Sequence, residues 1–164
     1  MKTILHKDIW SITSFLENKE YSFDKKNILT QLPGKFIDEA IEVISSWDNY
    51  SPTPLIKLNK LNNELKLNNI YYKDEDKRFD LKSFKALGGA FAVYKIASEK
   101  KNITVSTATA GNHGRSVAWG AQRLGLKCKI FISEFVSESR AEAMRNLDAE
   151  VIRVKGNYDN SLKE

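Results

Sequence analysis

Hydrophobic positions along the second half of the chain follow two alternating periods. From Ser83 onward, apolar residues recur every three or four positions in several segments, and short β-branched runs separate these segments. The helical spacing predicts helices that begin near residue 84 and that span 112–124 and 138–147. The β-branched runs predict strands at 103–107, 127–132 and 150–154. After the last strand we expect a turn at Gly156 and a helix from about Asp159.

The first half of the chain has a less regular pattern. Residues 1–34 are mixed in character and end at Pro33 and Gly34, so we expect irregular structure with a short helix. Apolar residues at helical spacing then predict an amphipathic helix over 35–47. Residues 49–55 should be extended, because each proline there disfavours helix at the residue before it. A short helix at Leu58–Leu65 and a strand at Ile70–Lys73 follow.

Strands that alternate with helices predict an α/β fold, with a parallel sheet covered by helices on both faces and joined by right-handed crossovers. We expect residues 83–164 to form a small three-layered α/β domain and residues 1–82 to contribute to a larger domain. The last helical segment has no stop signal before Glu164. We therefore expect the chain to be the N-terminal part of a longer protein.

Three finer details of the second half can be predicted. Ser137 or Ser139 should cap the helix at 138–147, and Ser139 with Glu142 has the spacing of a capping box. Where that helix ends, a glycine is expected but Asp148 is present, so this aspartate should adopt the left-handed conformation. The apolar stripe formed by Phe84, Leu87, Phe91 and Tyr94 should pack in the core.

Composition is that of an ordinary folded protein. The 164 residues are 41% hydrophobic and 29% charged. No apolar run approaches the roughly 20 residues of a membrane span, and the N-terminus lacks a signal-peptide pattern. The single cysteine, Cys128, lies in a strand-like apolar run, which predicts a packing role and suits a reducing cytoplasm. One cysteine and two histidines argue against a zinc site.

The net charge of +5 favours phosphate-bearing ligands of any size, nucleic acid included. Basic residues are scattered among acidic ones, and no arginine stripe is interleaved with aromatic residues, so we interpret them as a solvated surface. We expect no nucleic-acid partner. The alternative, a basic nucleic-acid-binding module, predicts DNA binding that weakens steeply with salt.

Lys85 is the strongest candidate for chemistry. It stands where the segment Ser83–Gly89 enters an apolar helix. The positive end of a helix destabilises a nearby ammonium ion, and partial burial would do so again. Both effects favour the uncharged amine, which can attack an aldehyde and form a Schiff base.

A second strand-to-helix turn, Thr107–Gly114, follows about 25 residues later. Its exposed main-chain amides suit an anion such as a substrate carboxylate. The side-chain amide of Asn112 can donate to a ring oxygen without adding charge. Two such turns in adjacent strand–helix units therefore indicate the site of an aldehyde cofactor.

Each of these features also has an ordinary structural interpretation. A lone Ser-Phe-Lys before a helix is usually a surface lysine, and a lone Gly-Asn-His-Gly is usually a capped turn. We interpret His113 as a structural, hydrogen-bonded imidazole. The charged run Asp74–Arg78 should be a solvated loop. Only the occurrence of these motifs together and in order favours a functional role for Lys85 and Asn112 over the structural interpretations.

Several motifs resemble, in their order, those of the fold-type II pyridoxal-phosphate enzymes, which include threonine and serine dehydratases and the tryptophan synthase β subunit. The matching segments are Tyr50–Leu55, Lys73–Phe79, Ser83–Lys85 and Gly111–Gly114. Within this group, the segments 77–90 and 111–119 are most similar to the signature of diaminopropionate ammonia-lyases. The resemblance runs from about residue 46 to the end of the chain.

The resemblance implies a pyridoxal 5'-phosphate-dependent lyase that eliminates ammonia or water from a small amino acid. Lys85 would be the Schiff-base lysine, and Asn112 would contact the ring oxygen of the cofactor. The substrate carboxylate would be held by Thr109, Ala110, Gly111, Asn112 and His113. A homodimer is implied for the full-length form. The alternatives are a threonine or serine dehydratase-like enzyme and a truncated product without catalytic activity.

Two departures from the family pattern bear on function. Ala110 stands where the ammonia-lyases carry an aspartate that can act as a base, so action on a D-amino acid is disfavoured and the loop is closer to that of a dehydratase. The family's glycine-rich phosphate loop and its partner for the pyridine nitrogen belong to the later half of such enzymes. Gly88 and Gly89 do not replace that loop, because they belong to the helix after Lys85.

Overall fold

The computed structural model describes residues 4–5, 11–12, 30 and 34–164. In this part of the chain the helices are α1 (Gly34–Ser45), α2 (Asn59–Leu65), α3 (Lys85–Glu99), α4 (Asn112–Arg123), α5 (Glu138–Arg145) and α6 (Tyr158–Ser161). The strands are β1 (Ile4–Leu5), β2 (Ser11–Ile12), β3 (Leu55–Lys57), β4 (Tyr71–Lys73), β5 (Thr104–Ala108), β6 (Lys127–Ser133) and β7 (Ala149–Val154). None of the described helices is both long enough and apolar enough to cross a membrane.

The chain divides into two compact units, and the first comprises Met1–Asp38 and Leu55–Lys73. Its described strands form two antiparallel pairs, β1 with β2 and β3 with β4. Helix α2 ends at Lys66, whose φ of 54° lies in the left-handed region. The buried Asn62 side chain accepts a hydrogen bond from the Ile70 amide at 2.7 Å, which ties α2 to the chain that enters β4. The predicted domain boundary after residue 82 stays a prediction.

The second unit comprises Glu39–Pro54 and Asp74–Glu164 and contains a parallel sheet. Its three strands have the order β5-β6-β7, with Thr104 opposite Lys127 and Cys128 opposite Ala149. Parallel neighbours require a crossover connection, and α4 and α5 supply the two crossovers in this sheet. The predicted α/β class is therefore confirmed.

The core of the second unit lies on one face of β6. Cys128, Ile130 and Ile132 occupy alternate positions of this strand and are buried among side chains of α3, α4 and α5. On the opposite side of the strand, Lys127 and Lys129 are exposed and Phe131 is half-buried, and Lys129 forms an ion pair with Glu150 at 3.4 Å. The period of two in burial follows from the pleat, which turns successive side chains to opposite faces.

Helices α3 and α4 pack closely because small residues line their contact. A Cβ atom added to Gly120 would lie 2.7 Å from the Cα of Ala90, and one added to Gly89 would overlap the Oγ of Ser116 and lie 2.7 Å from its Cβ. These separations leave no room for a side chain at either glycine. Periodicity in the sequence predicted both helices, but it did not predict that their glycine-bearing faces would approach each other so closely.

Several of the finer predictions can be compared with the structure. Asp148 has a φ of 60°, and Gly156 turns with a φ of 105°, as predicted. Of the two predicted caps of α5, Ser137 is the N-cap, so the capping-box spacing of Ser139 and Glu142 is not used, and the Ser137 side chain makes no capping hydrogen bond. A capping box occurs instead at α6, between Asn157 and Asn160. The expected structure of residues 1–34 lies largely outside the described residues.

The apolar stripe of α3 is only partly in the core. Phe91 is buried, as predicted, but Phe84 is 64% exposed, so the core assignment of this residue is wrong. Phe84 precedes the first residue of α3, whereas the face that packs against α4 carries Gly89 and Ala90. Phe84 lies at the N-terminal end of the helix, so the apolar period that it continues does not by itself bring it into the core.

Burial of Cys128 predicts a pH dependence of stability. Desolvation raises the pKa of this thiol from 9.0 to about 11. The unfolded thiol ionises first, so the contribution of Cys128 is complete below pH 9 and is lost as pH rises through the folded pKa. As pH rises from 9.0 to about 11, we expect the free energy of unfolding of wild type to fall by about 2–3 kcal/mol more than that of Cys128→Ala. The difference between the two proteins at neutral pH is the reference for this comparison. Urea denaturation of both proteins at several pH values measures the difference, and parallel curves would contradict the prediction.

Candidate functional site

Lys85 is the first residue of α3, and the structure confirms its predicted place at a helix N-terminus. The buried side chain of Ser83 accepts a hydrogen bond from the Lys85 amide at 3.3 Å. The Lys85 side chain itself is exposed, so the expected partial burial is wrong for this chain. The physical reason is helical geometry: Ala86 and Gly89 face inward, and Lys85 and Gly88 point to the other side. Gly88 and Gly89 both lie within α3, as predicted.

The segment before Lys85 has an unusual backbone. Phe79, Asp80 and Lys82 have φ values of 48°, 58° and 53°. Residues other than glycine rarely adopt this left-handed backbone region, and each such residue costs on the order of 1–3 kcal/mol of stability. Phe79 is nevertheless held in place, because it is buried with its ring centroid 4.6 Å from that of Trp119. Tertiary packing therefore maintains a strained segment immediately before the lysine.

Within the charged run 74–78, Asp76 and Lys77 are exposed, as expected for a solvated loop, but the prediction is wrong for Arg78. Arg78 is only 6% exposed, and its Nε and Nη2 donate to the two carboxylate oxygens of Glu75 at 2.8 and 3.1 Å. Arg78 Nη2 also donates to Thr53 Oγ1 at 2.9 Å, and Nη1 donates to the Ser51 carbonyl at 3.1 Å. The hydrogen bond to Glu75 raises the pKa of Arg78. This network fixes the run to the extended segment 51–53.

The second turn connects β5 to α4. The Thr109 amide donates to the carbonyl of Phe131 at 3.0 Å, and the Thr109 hydroxyl accepts from the Gly111 amide at 3.4 Å. Thr109 is buried, whereas Asn112 and His113 are exposed. No side chain caps the N-terminus of α4, so its first-turn amides are open to an anion.

A cleft of about 380 Å³ opens beside this turn. It is lined by Ala110, Gly111, Asn112, Arg115, Ser139, Arg140 and Ala143. The two guanidinium groups and the N-terminus of α4 make the cleft electropositive, and this character suits a carboxylate. Arg115 and Arg140 were not predicted as site residues. The only sequence signal for Arg115 was its position in the first turn of the helix after Asn112.

Hydrogen bonds join the two turns. Ser116 Oγ donates to the carbonyl of Lys85 at 2.5 Å, and Arg115 Nη1 donates to the carbonyl of Leu81 at 3.1 Å. The sequence analysis missed both contacts. The structure thus connects the helix that begins at Asn112 to the main chain around Lys85, while the assigned roles of these residues stay predictions.

The second unit is thus an α/β structure in which a parallel sheet is packed with helices, an exposed lysine begins α3, and the N-terminus of the next helix, α4, is uncapped. The pyridoxal-phosphate-dependent enzyme family matches residues 47–164. The chain belongs to this family.

The chain is similar to diaminopropionate ammonia-lyase of Escherichia coli K12, with 34% identity over 165 residues. It is also 36% identical over 138 residues to the biosynthetic L-threonine dehydratase of Haemophilus influenzae, covering 82% of this chain and 26% of that protein. The apo crystal structure of the Escherichia coli ammonia-lyase superposes with a TM-score of 0.73 and 36% identity, covering 77% of this chain and 39% of that one. The first match covers 90% of this chain, which spans 41% of that ammonia-lyase.

Proposed function

We propose that this chain carries the lysine-bearing part of a pyridoxal 5'-phosphate-dependent lyase that eliminates ammonia or water from a small amino acid. The observation that carries the proposal is the hydrogen bond from Ser116 to the Lys85 carbonyl, because it couples the start of α3 to the helix that follows the Asn112 turn. Similarity to ammonia-lyases and to threonine dehydratases supports the same reaction class.

The described residues fit part of such a cofactor. The exposed Lys85 amine is accessible to an aldehyde, and the uncapped first turn of α4 has open amide donors. A Cβ atom on Gly111 would meet nothing within 4 Å, so the turn has open space beside it. When bound, pyridoxal phosphate supplies the electron sink for elimination.

Each residue of the two turns has a distinct task in this proposal. Lys85 Nζ would hold the cofactor covalently and, once released, move the α-proton of the substrate. The Asn112 side chain would donate toward the ring oxygen, which orients the ring without adding charge. The loop Thr109–His113 would bind the substrate carboxylate through its amides and so orient the bond that breaks.

Ala110 supports a dehydratase-like variant as the second candidate. A methyl group cannot accept a proton, so a base at this position is excluded and proton transfer is left to Lys85. This supports elimination from an L-amino acid over a D-amino acid. A cytoplasmic location, consistent with the buried free thiol of Cys128, and a homodimeric full-length form belong to the same proposal.

Covalent labelling tests the role of Lys85. We expect the chain, incubated with pyridoxal phosphate, to develop an absorbance band near the edge of the visible range that borohydride removes. Peptide mass mapping after reduction should then find the label mainly on Lys85. Lys85→Ala should lower the label to the background level of the exposed lysines, because the variant lacks the lysine that begins α3 and is held by Ser116.

Lys100→Ala is the matched control, since Lys100 is exposed at the opposite end of the same helix. It should label as wild type does. Equal loss in the two variants, or a folded wild type that never carries label on Lys85, would contradict the proposal. The second result would favour the alternative of a product without catalytic activity.

A further inference from the structure

We propose that Arg115 is a positioning residue for Lys85, an inference that rests on the proposed function. Arg115 and its neighbour Ser116 lie in the first two turns of α4 and donate to two carbonyls of the other turn. These carbonyls belong to Leu81 and Lys85, at the two ends of a five-residue segment. We call these two hydrogen bonds the Arg115–Ser116 clamp.

The Ser116 end of the clamp is set by close packing. Ser116 is fully buried, and the absence of a side chain at Gly89 lets its hydroxyl approach the main chain of α3. This contact fixes the first residue of α3, but it does not fix the segment before it. A second point of attachment is needed there, because Lys82 and Asp80 have left-handed backbone conformations that would relax if they were free.

Arg115 supplies that second point. Its Nη1 holds the Leu81 carbonyl across 34 positions of sequence, and the Leu81 side chain is buried. The Nε atom of Arg115 is buried and has no hydrogen-bond partner among the described residues. A buried donor is left unpaired in order to place Nη1 on Leu81, which indicates that the position of the guanidinium serves this contact.

The consequence is geometric. Asn112 and Arg115 are three positions apart on the first turn of α4, so a shift of one moves the other. The clamp therefore transmits the position of the Asn112 turn to Lys85. Loss of Arg115 should leave α4 and the Ser116 end of the clamp in place, while the segment between Phe79 and Lys85 becomes more mobile, so that the main chain at Lys85 is held at one point only.

Hydrogen exchange measured by mass spectrometry on the full chain tests the clamp without any cofactor. We expect Arg115→Ala to speed exchange in peptides that cover 79–86 by about 10- to 100-fold, the size of one hydrogen bond to a charged group. Arg115→Lys keeps a donor and should recover part of the protection. Gln122→Ala removes a side-chain donor of the same helix that bonds to Asp148 at 2.8 Å, and it should leave peptides 79–86 unchanged.

The share of label on Lys85 after treatment with pyridoxal phosphate and borohydride is the second readout. Arg115→Ala should lower this share several-fold relative to the other lysines, and Arg115→Lys should restore it in part. A purely structural role would lower folded population without changing the share per folded molecule. If Arg115→Ala does not fold, the comparison of Arg115→Lys with wild type decides the question by the same two readouts.

The proposal is overturned if folded Arg115→Ala exchanges like wild type over 79–86, or if Arg115→Lys is as impaired as Arg115→Ala. It is also overturned if exchange rises but the share of label on Lys85 does not change. Failure of the proposed function gives a different result: wild-type Lys85 is then never labelled, although the exchange difference over 79–86 is still present.

Discussion

Replacing Arg78 with methionine is expected to lower the free energy of unfolding by about 3–5 kcal/mol, because it removes the cation that neutralises a partly buried carboxylate. Glu75 is only 16% exposed and receives two hydrogen bonds from the guanidinium. The Ser51 carbonyl and the Thr53 hydroxyl lose donors in the same step. Methionine preserves most of the apolar stem, so the loss reports the charge network.

Urea denaturation at neutral pH measures this loss. Arg145→Met is the matched control, since Arg145 also forms ion pairs with glutamate, in its case with Glu138 and Glu142 on an exposed surface, and its loss should be much smaller. The double variant Arg78→Met, Glu75→Leu should recover a large part of the stability, because both charges are then absent. Equal losses for Arg78→Met and Arg145→Met would contradict the interpretation of Arg78 as a buried anchor.

Replacing Gly120 with valine is expected to destabilise the protein by about 3 kcal/mol, or to prevent folding, because overpacking at a helix contact has no cheap relief. The first obstacle is a backbone atom, the Cα of Ala90, at 2.7 Å from the added Cβ. The Cβ atoms of Ala90 and Val93 follow at 3.1 and 3.3 Å. Helices α3 and α4 would have to separate, and the hydrogen bond from Ser116 to the Lys85 carbonyl would lengthen with them.

Gly88→Ala is the opposite case on the facing helix. No atom lies within 4 Å of an added Cβ there, so only the gain in helix propensity remains, and stability should rise by up to about 1 kcal/mol. Thermal and urea denaturation of the two variants measure the contrast. A neutral Gly120→Val would show that the two helices can move apart, contrary to the close contact described here.

The fold and half of the candidate site could be predicted because their signals are local. The spacing of apolar residues and the positions of helix-breaking residues predicted the helix at Lys85, the strand before Thr109 and the left-handed Asp148, each within a residue or two of the structure. The ordered motifs around Lys85 and Asn112 predicted the family to which the chain belongs. Arg78 was misjudged for the same reason, since five charged residues in a row are locally indistinguishable from a solvated loop.

The sequence by itself determined which segments become helices and strands, and it placed a lysine and an asparagine at two helix N-termini, because these properties depend on residues a few positions apart. Only the tertiary structure decided that Arg78 is buried, that Lys85 is exposed and that Arg115 reaches Leu81. Each of these depends on atoms separated by more than 20 positions along the chain, or on the helix face that meets a neighbour. Burial and hydrogen bonding of that kind are set by packing, which local patterns do not encode.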